Sequence, residues 1–411
     1  MSSGWGRRGA GLGLALGVAA LLVWGNVRFA RRHPGGNDFM VYWVAARAWL
    51  LEGRDPYSDA VALDAQRLAY GHPAGPGEGQ MRLVYPLYAC GLVAPFAFVA
   101  DYPLARGLWN TTLELLLAAM LGLALAAVRW KPPPGLMALL AVFALTWYEA
   151  VRAVVNGNAV VWVAVFLTGA AWAWRHEQEA AAGVLLALAT IKPQLAALPV
   201  AFALFWGASR RRWRLLGGLL GSLLVLLVVS TALLPRWPLE ELREIFRYPT
   251  YTPPNTLQAA LRGGLPAAGQ GLGWAVTAAL SAALAAAWWQ SRTTAFPLWA
   301  YNLTLVASQW IGINTDPGNF LILFLPLVAV LAALSRHKSR AFRIATIAGV
   351  LAVAWIGLWW LFLATLTWHH GQPVQSAWMY LPLPAVLLAG LGWARWQGKR
   401  LPLAPEAERM P

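Results

Sequence analysis

Two ionisable side chains stand in apolar parts of this 411-residue chain. Asp38 follows the first apolar run, in the stretch PGGNDFMVYW, and Lys192 interrupts a later apolar run, in LALATIKPQLAALP. An aspartate in apolar surroundings can act as a general base on a hydroxyl group. A lysine beside a helix break can bind a phosphate as a point charge. These residue types are suited to a base that activates a hydroxyl and to a cation that binds a phosphate.

Asp38 also has a structural interpretation. Aspartate is a favoured N-cap residue, and the helical pattern of FMVYWVAARAWL begins directly after it. The local sequence alone favours the cap over the base. The two roles are compatible, because a capping aspartate would be held in a fixed position.

A second polar stretch combines a charge with two amides. Arg152 precedes the tripeptide NGN, Asn156 to Asn158, between two short apolar segments. Amides suit sugar hydroxyls because they both donate and accept hydrogen bonds. The alternative is a plain turn, for which asparagine and glycine are equally suited.

The composition places these residues in a membrane protein. The chain is 59% hydrophobic and only 12% charged, whereas soluble domains have about a quarter of their residues charged. The net charge of +15 is concentrated in short runs between apolar segments or at the end of the chain, such as SRRRWR (209–214) and SRHKSRAFR (335–343). That distribution indicates membrane topology, and no nucleic-acid-binding module is present.

The apolar runs predict an all-α polytopic protein of about 12 transmembrane helices. The first, 11–27, is interpreted as a retained helix because no cleavage site follows it. Two topologies give this number. In the first, 84–100 crosses the membrane and 183–208 is one helix. In the second, 84–100 does not cross and 183–208 is two short helices broken at IKPQ. The other predicted spans are 107–128, 136–155, 159–174, 214–234, 271–290, 296–313, 319–334, 343–366 and 377–396.

Charge favours the second topology, in which 84–100 stays in the outer region and 183–208 is broken. This arrangement places Arg129, Lys131 and Arg175 on the inner side, as the positive-inside rule expects. Both termini are then cytoplasmic. Polar residues from distant parts of the sequence reach the outer side, which is the most informative pattern in the chain; they include Asp38, Arg82, Arg152, Asn156, Asn158, Lys192, Asp316 and Asn319.

The sequence divides into three parts. Residues 1–234 contain the first helix and a large outer loop, 28–106, in which DFMVYWVAARAWLLEG and SDAVALDAQRLAYG have the pattern of amphipathic helices at the membrane surface. Residues 235–270 form a second outer loop, and 271–411 contain the C-terminal transmembrane helices. No internal repeat is evident.

Other site chemistries find little support. Cys90 is the single cysteine, so there is no CxxC motif, and the adjacent His369 and His370 diverge instead of chelating. No G-x-S-x-G or Walker motif is present. We therefore predict no metal site and no cofactor, and leave dependence on a divalent metal open.

The order of these segments resembles family-87 glycosyltransferases. NDFMVYWVAARAWLLEGRDPYS followed by LVYPLYACGLVAPFAFV looks like the opening of such proteins, with an acid after the first helix. VRAVVNGNAVVWV, then AAGVLLALATIKPQLAALP, and PPNTLQAALRG match later landmarks of the family. The resemblance is clear over 37–265 and rests on hydropathy elsewhere.

The resemblance implies a GT-C-like fold and a reaction. Such enzymes transfer a sugar, typically mannose, from a polyprenyl-phosphate donor to a lipid-linked or other envelope glycan on the outer face of the plasma membrane. It implies that Asp38 is the catalytic carboxylate of the first outer loop and acts as general base. Further assignments are Lys192, Arg152 and Arg82 for the donor phosphate, and Asn156, Asn158, Tyr42, Asp316 and Asn319 for sugar or acceptor.

The chain departs from the family pattern in two places. Asn319 and Phe320 stand where many members have histidines, and Leu87 replaces the second proline of YPP. Two alternatives therefore stay open beside the transferase. One is a transporter or flippase of an amphipathic substrate, which also uses broken helices, and the other is a catalytically inactive scaffold. The expected partners are a polyprenyl-phosphate sugar, a lipid or glycan acceptor and membrane lipids.

Overall fold

The computed structural model is predominantly helical and describes residues 3–252, 255–311, 313–369 and 372–400. Its one described strand pair is antiparallel, β1 (Thr367–His369) with β2 (Gln372–Val374). The helices, in chain order, are α1 Ser3–Arg32, α2 Asn37–Glu52, α3 Asp59–Tyr70, α4 Cys90–Ala97, α5 Tyr102–Ala127, α6 Pro134–Thr146, α7 Tyr148–Asn156, α8 Val160–Arg175, α9 Glu179–Ala189, α10 Pro193–Ser209, α11 Trp213–Leu233, α12 Trp237–Tyr251, α13 Leu257–Gly264, α14 Gly269–Ser291, α15 Leu298–Ala307, α16 Phe324–Ser335, α17 Arg340–Leu351, α18 Leu358–Thr365 and α19 Pro382–Arg400.

Six helical segments in the described part of the chain are long and apolar enough to cross a membrane. A seventh is formed if α6 and α7, which are bent by 41° at Trp147, count as one span. The chain is thus a membrane protein with several apolar helices, while the expected 12 crossings stay a prediction. The six are Tyr102–Ala127, Trp213–Leu233, Gly269–Ser291, Pro317–Ser335, Arg340–Thr365 and Ala377–Gln397.

Several predicted segments are shorter than a full span. The region 84–100 contains a 3₁₀ turn, Leu87–Ala89, and the eight-residue α4, which together cover about 17 Å at 1.5 Å per residue. That is well short of a ~30 Å hydrocarbon core. The predicted break at IKPQ is confirmed, because α9 ends at Ala189 and α10 begins at Pro193.

The chain folds into two compact units whose segments interleave in sequence. The first unit comprises residues 1–116, 153–159 and 234–251; the second comprises 117–152, 160–233 and 252–411. The predicted division at residues 234 and 270 stays a prediction.

The first unit contains the predicted surface helices. The turn GRDPYS lies between α2 and α3, where Gly53 ends α2 in a left-handed conformation and the Ser58 hydroxyl caps α3 by accepting from the Val61 N–H. Trp43 and Arg47 on α2 donate hydrogen bonds to carbonyls at the end of α4. These bonds attach α2 to the following segment.

The second unit has an aromatic core. Trp174, Phe202, Trp206 and Tyr301 are buried against one another. The polar atoms at the ends of these rings are satisfied by backbone carbonyls, since the Trp206 indole donates to the Ser291 carbonyl and the Tyr301 hydroxyl to that of Leu167. This is the usual arrangement for buried tryptophan and tyrosine.

Candidate functional site

Asp38 is the second residue of α2. Gly36 occupies the N-cap position with a φ of +74°, and its carbonyl accepts the first helical hydrogen bond, from the Met40 N–H at 2.9 Å. The prediction that Asp38 caps the helix is therefore wrong, because the turn needs a positive φ, which glycine adopts readily. Asp38 lies instead in the first turn, where the positive end of the helix dipole stabilises a carboxylate.

The turn before Asp38 is held by two side chains of α5. The Tyr102 hydroxyl donates to the carbonyls of Gly35 and Gly36 at 2.7 and 3.2 Å, and the Arg106 guanidinium donates to the His33 carbonyl at 2.7 Å. Arg106 is only 1% exposed. Sequence reasoning missed both residues, although an arginine within an apolar helix is in itself a signal.

Arg106 also connects this turn to the end of α7. Its second terminal nitrogen donates to the Val155 carbonyl at 2.9 Å. The NGN turn follows, and the Asn158 N–H donates to the Ala153 carbonyl while the Gly157 N–H donates to that of Val154. This pair of bonds is a Schellman motif, which ends a helix with a left-handed residue. Gly157 has a φ of +66°.

The NGN turn packs directly against the helix that carries Asp38. A Cβ atom at Gly157 would lie 2.5 Å from the Cβ of Phe39, and the Trp109 indole donates to the Gly157 carbonyl at 2.9 Å. Asn156 is half-buried and Asn158 is 9% exposed. The first unit therefore brings the predicted asparagines to the start of α2.

Tyr42 lies one helical turn after Asp38. Its ring stacks on Tyr85, with centroids 5.1 Å apart, and is 2% exposed. Its hydroxyl has no hydrogen-bond partner among the described residues. Burial, followed by the charges of Tyr85 and Asp38, raises the pKa of Tyr42 well above its ordinary value. Tyr42 is therefore a neutral hydroxyl that can donate a hydrogen bond.

Arg82 also lies in the first unit, between two carboxylates. Its guanidinium is 2.6 Å from Asp59 and 3.4 Å from Glu244, and its side chain is 8% exposed. The hydrogen bond and charge of Arg82 lower the pKa of Asp59. Arg82 thus ties α3 to α12 in this structure.

Lys192 stands at the break between α9 and α10, at the N-cap position of α10. Its side chain is buried, at 2% exposure of the residue, and its ammonium donates to the amide oxygen of Asn319 at 3.0 Å. The Asn319 amide nitrogen donates in turn to the Thr315 hydroxyl at 3.3 Å.

Arg152 and Asp316 form an ion pair in the second unit. Their closest atoms are 2.5 Å apart, and Asp316 caps the 3₁₀ segment Pro317–Leu323 by accepting from the Gly318 N–H at 2.6 Å. Gln375 donates to both Asp316 oxygens at 3.1 and 3.2 Å. Burial alone would raise the pKa of Asp316, but the charge and hydrogen bond of Arg152, the Gly318 N–H and the charge of Lys192 lower it.

The short turn at residues 316–319 carries the partners of both Lys192 and Arg152. The Asn319 N–H donates to the Asp316 carbonyl at 2.9 Å, so the partner of Lys192 and the partner of Arg152 are three residues apart. The second unit therefore gathers four residues that the sequence singled out separately: Arg152, Lys192, Asp316 and Asn319.

Glu149 is a further charged residue in this region that sequence reasoning missed. It lies one turn before Arg152 on α7 and is completely buried. Neither of its carboxylate oxygens has a hydrogen-bond partner in the described part of the chain. An acid inside an apolar, bent span is the signal that would have identified it.

A cavity of about 300 Å³ opens beside Asp316 in the second unit. Gln375, which bonds to Asp316, forms part of its wall. The wall combines amide, hydroxyl and guanidinium groups with an aromatic ring; its polar lining residues include Asn255, Thr256, Arg262, Ser376 and Tyr380.

Within the described ranges, no group of three or more His, Cys, Asp or Glu side chains is placed to hold a metal ion. His370 lies outside the described residues, as do Pro253 and Pro254 of the PPNTLQAALRG landmark.

The comparison with protein families gives one match. The model of glycosyltransferase family 87 matches residues 83–309, more than half of the chain. The matched range includes Arg152, Asn156, Asn158 and Lys192; it begins after Asp38, Tyr42 and Arg82 and ends before Asp316 and Asn319. No curated protein and no solved structure matches the chain.

Proposed function

The chain belongs to glycosyltransferase family 87, and from this premise we propose that it transfers a hexose from a polyprenyl-phosphate donor. Mannose is the first sugar to test. The acceptor is an envelope glycan or glycolipid, and transfer takes place on the outer face of the plasma membrane, with both termini in the cytoplasm. The family match and the apolar helices make the chain a membrane glycosyltransferase; donor, acceptor and membrane are our proposal.

Asp38 is the general base of this reaction. Its carboxylate takes the proton of the acceptor hydroxyl, whose oxygen then forms a bond to C1 of the donor sugar. The bond between C1 and the phosphate oxygen breaks, and the polyprenyl phosphate leaves with the electron pair. The turn fixed by Tyr102 and Arg106 supports this role, because it holds the start of α2 in one position.

Arg152 and Lys192 bind the donor phosphate. Both lie within the range matched by the family model. Positive groups that are already in place stabilise negative charge as it develops on a leaving phosphate. Arg82 is assigned to the same function, and a phosphate there would compete with Asp59 and Glu244 for its guanidinium.

Sugar and acceptor hydroxyls bind to amides and hydroxyls. We assign Asn156, Asn158 and Tyr42 of the first unit to this function, and Asp316 and Asn319 of the second. The cavity beside Asp316 supports the second assignment, since its volume of about 300 Å³ is sufficient for a sugar ring and its wall offers groups that both donate and accept hydrogen bonds.

The observation that carries the proposal is the network around residues 315–319. It joins two cations from the family-matched range, Arg152 and Lys192, to a single turn beside a polar cavity. Phosphate binding requires cations, and sugar binding requires a cavity with hydrogen-bonding groups in its wall.

The test is transfer by the reconstituted protein. Purified protein in liposomes is incubated with radiolabelled polyprenyl-phosphate sugars and extracted membrane lipids, and the wild type is compared with Asp38→Asn. We expect labelled glycolipid or glycan with the wild type and a loss of transfer of about 10²- to 10⁴-fold in the variant. Equal transfer by both proteins would remove Asp38 as the base.

The two alternatives predict different outcomes of the same experiment. A flippase or transporter is favoured by the broken helices, at Trp147 and at residues 190–192. It would move labelled lipid across the bilayer without forming product. An inactive scaffold would do neither with any donor.

A further inference from the structure

Helix α12 in the outer loop has an inverted pattern of burial. Glu241 and Glu244 are 9% and 4% exposed, and Trp237 is 2% exposed. These residues recur every three or four positions and so share one face of the helix. Soluble helices bury apolar side chains and expose carboxylates, whereas α12 buries two of its three carboxylates.

The buried face of α12 packs against polar and aromatic side chains of the first unit. Glu244 pairs with Arg82, and Trp237 packs edge-on against Tyr88 with ring centroids 6.0 Å apart. Through these contacts α12 is attached to the first unit without using its apolar residues.

The opposite face is apolar and exposed. Leu239, Leu242, Ile245 and Phe246 are 66%, 49%, 45% and 74% exposed. At 100° per residue their directions fall within one arc of about 120°. A contiguous apolar stripe of this kind on a fixed helix indicates an interaction surface.

The chain reaches α12 directly from a transmembrane helix. The apolar span α11 ends at Leu233, which is 58% exposed, and α12 begins at Trp237. Four residues of fully extended chain reach at most about 14 Å. The beginning of α12 therefore lies within about 14 Å of the end of this membrane span.

Cationic side chains lie beside the apolar stripe. Arg243 and Arg247 have side chains that are 69% and 46% exposed, and both project to the same side of the stripe. Arginine at this position suits lipid phosphates, although Arg243 also pairs with Glu240 and Arg247 with Glu244.

We infer that α12 is a membrane-anchoring helix that lies in the interface of the bilayer. Its stripe of Leu239, Leu242, Ile245 and Phe246 enters the acyl-chain boundary, and Arg243 and Arg247 lie at the level of the phosphates. Interfacial helices bury their apolar face by about 5–10 Å. The lipid bilayer is the partner of this surface, and this role does not depend on the proposed transferase activity.

The test measures the depth of single positions on α12. Phe246→Cys and Arg243→Cys are each made in a Cys90→Ala background, because Cys90 is the single cysteine and is buried. Both proteins are spin-labelled and placed in phosphatidylcholine nanodiscs that contain some phosphatidylglycerol. Collision with oxygen, which is concentrated in acyl chains, is compared with collision with a water-soluble nickel chelate.

We expect the label at position 246 to collide mainly with oxygen and to lie about 5 Å or more below the phosphates. The label at position 243 should collide mainly with the nickel chelate. A label at 246 as accessible to nickel as that at 243 would overturn the inference, because the stripe would face water. Protection of position 246 from both reagents would overturn it equally, since a protein would then cover the stripe. A label at Leu239→Cys must repeat the result for position 246.

Discussion

Two arginines in this protein have different surroundings. In the first unit, Arg82 lies between Asp59 and Glu244, and both carboxylates also pair with Arg247. In the second unit, Arg152 is bonded to one carboxylate, Asp316, and the nearby Lys192 is bonded to the neutral amide of Asn319. The first cluster therefore balances two carboxylates with two guanidinium groups, and the second holds two cations around Asp316.

The difference indicates how readily each cation can bind a phosphate. A guanidinium saturated by carboxylates joins helices, here α3 and α12, and breaking such a buried pair is costly. The Asn319 amide holds the Lys192 ammonium in place and is itself neutral. We therefore propose that Arg152 and Lys192 contribute more than Arg82 to binding of the donor phosphate.

The largest effect is expected from Gly157→Ala in the first unit. The variant combines a left-handed backbone, at a φ of +66°, with a contact of 2.5 Å to the Cβ of Phe39. We expect a loss of about 2–5 kcal/mol in the free energy of unfolding, measured with SDS in mixed micelles. Gly71→Ala is the matched control, since it has a φ of +79° with open space around it and shows the backbone contribution alone. Equal losses in both variants would mean that the NGN turn does not pack against α2.

Lys192→Gln tests the phosphate-binding cation of the second unit. Glutamine can still donate to Asn319 but carries no charge, and a hydrogen bond to a charged group contributes about 1.5–3 kcal/mol. We expect the affinity for the polyprenyl-phosphate donor to fall by about 10- to 100-fold, as measured by equilibrium binding of labelled donor. Lys131→Gln, at an exposed lysine between α5 and α6, should leave the affinity unchanged. If both variants bound donor alike, Lys192 would have a structural role and would not bind the phosphate.

Glu241 makes the stability of the first unit depend on pH. Burial raises its pKa from 4.5 to about 7, so the folded protein holds a proton that the unfolded chain releases. The contribution of Glu241 to the free energy of unfolding is therefore fully present below about pH 4.5 and is lost as the pH rises to about 7.

Glu241→Gln should remove this decrease. The variant is expected to gain about 1–3 kcal/mol over the wild type at pH 8 and nothing at pH 4, measured by SDS unfolding at both values. Glu240→Gln, on the same helix but more exposed, should follow the wild type at each pH. A gain from Glu241→Gln that did not change with pH would contradict the assignment.

The smallest effect is expected from Gly318→Ala in the second unit. The new Cβ would approach the Arg152 guanidinium to 2.0 Å, but a flexible arginine can move aside. We expect a loss of about 1 kcal/mol in unfolding free energy together with weaker donor binding, because Arg152 is displaced from Asp316. Gly217→Ala has nothing within 4 Å of its Cβ and should change neither quantity. Unaltered donor binding by Gly318→Ala would show that the Arg152 pair does not contribute to the site.

Local patterns in the sequence predicted much of the fold. The apolar periodicity after Asp38 predicted α2, and Lys192–Pro193 predicted the break between α9 and α10. Each of these signals is contained within one turn or one helix. The N-cap of α2 was predicted two residues too late, at Asp38, because Gly36 and not a capping side chain occupies this position.

Contacts between distant residues could not be predicted in the same way. Arg82 and Glu244 are 162 positions apart, and Arg152 and Asp316 are 164 apart, so no local pattern connects them. Helix α12 was interpreted as part of a loop because its prolines and charges hide a helix whose acidic face is buried. The network around 315–319 likewise became visible only when Lys192 and Arg152 were placed beside that turn.

The most direct test of the central claim separates donor binding from transfer in Asp38→Asn. Binding of radiolabelled polyprenyl-phosphate sugar and single-turnover transfer are measured on the same reconstituted sample. If Asp38 is the base while Arg152 and Lys192 bind the phosphate, the variant binds donor with wild-type affinity and transfers about 10²- to 10⁴-fold more slowly. A variant that loses donor binding in proportion to transfer would contradict this division of roles.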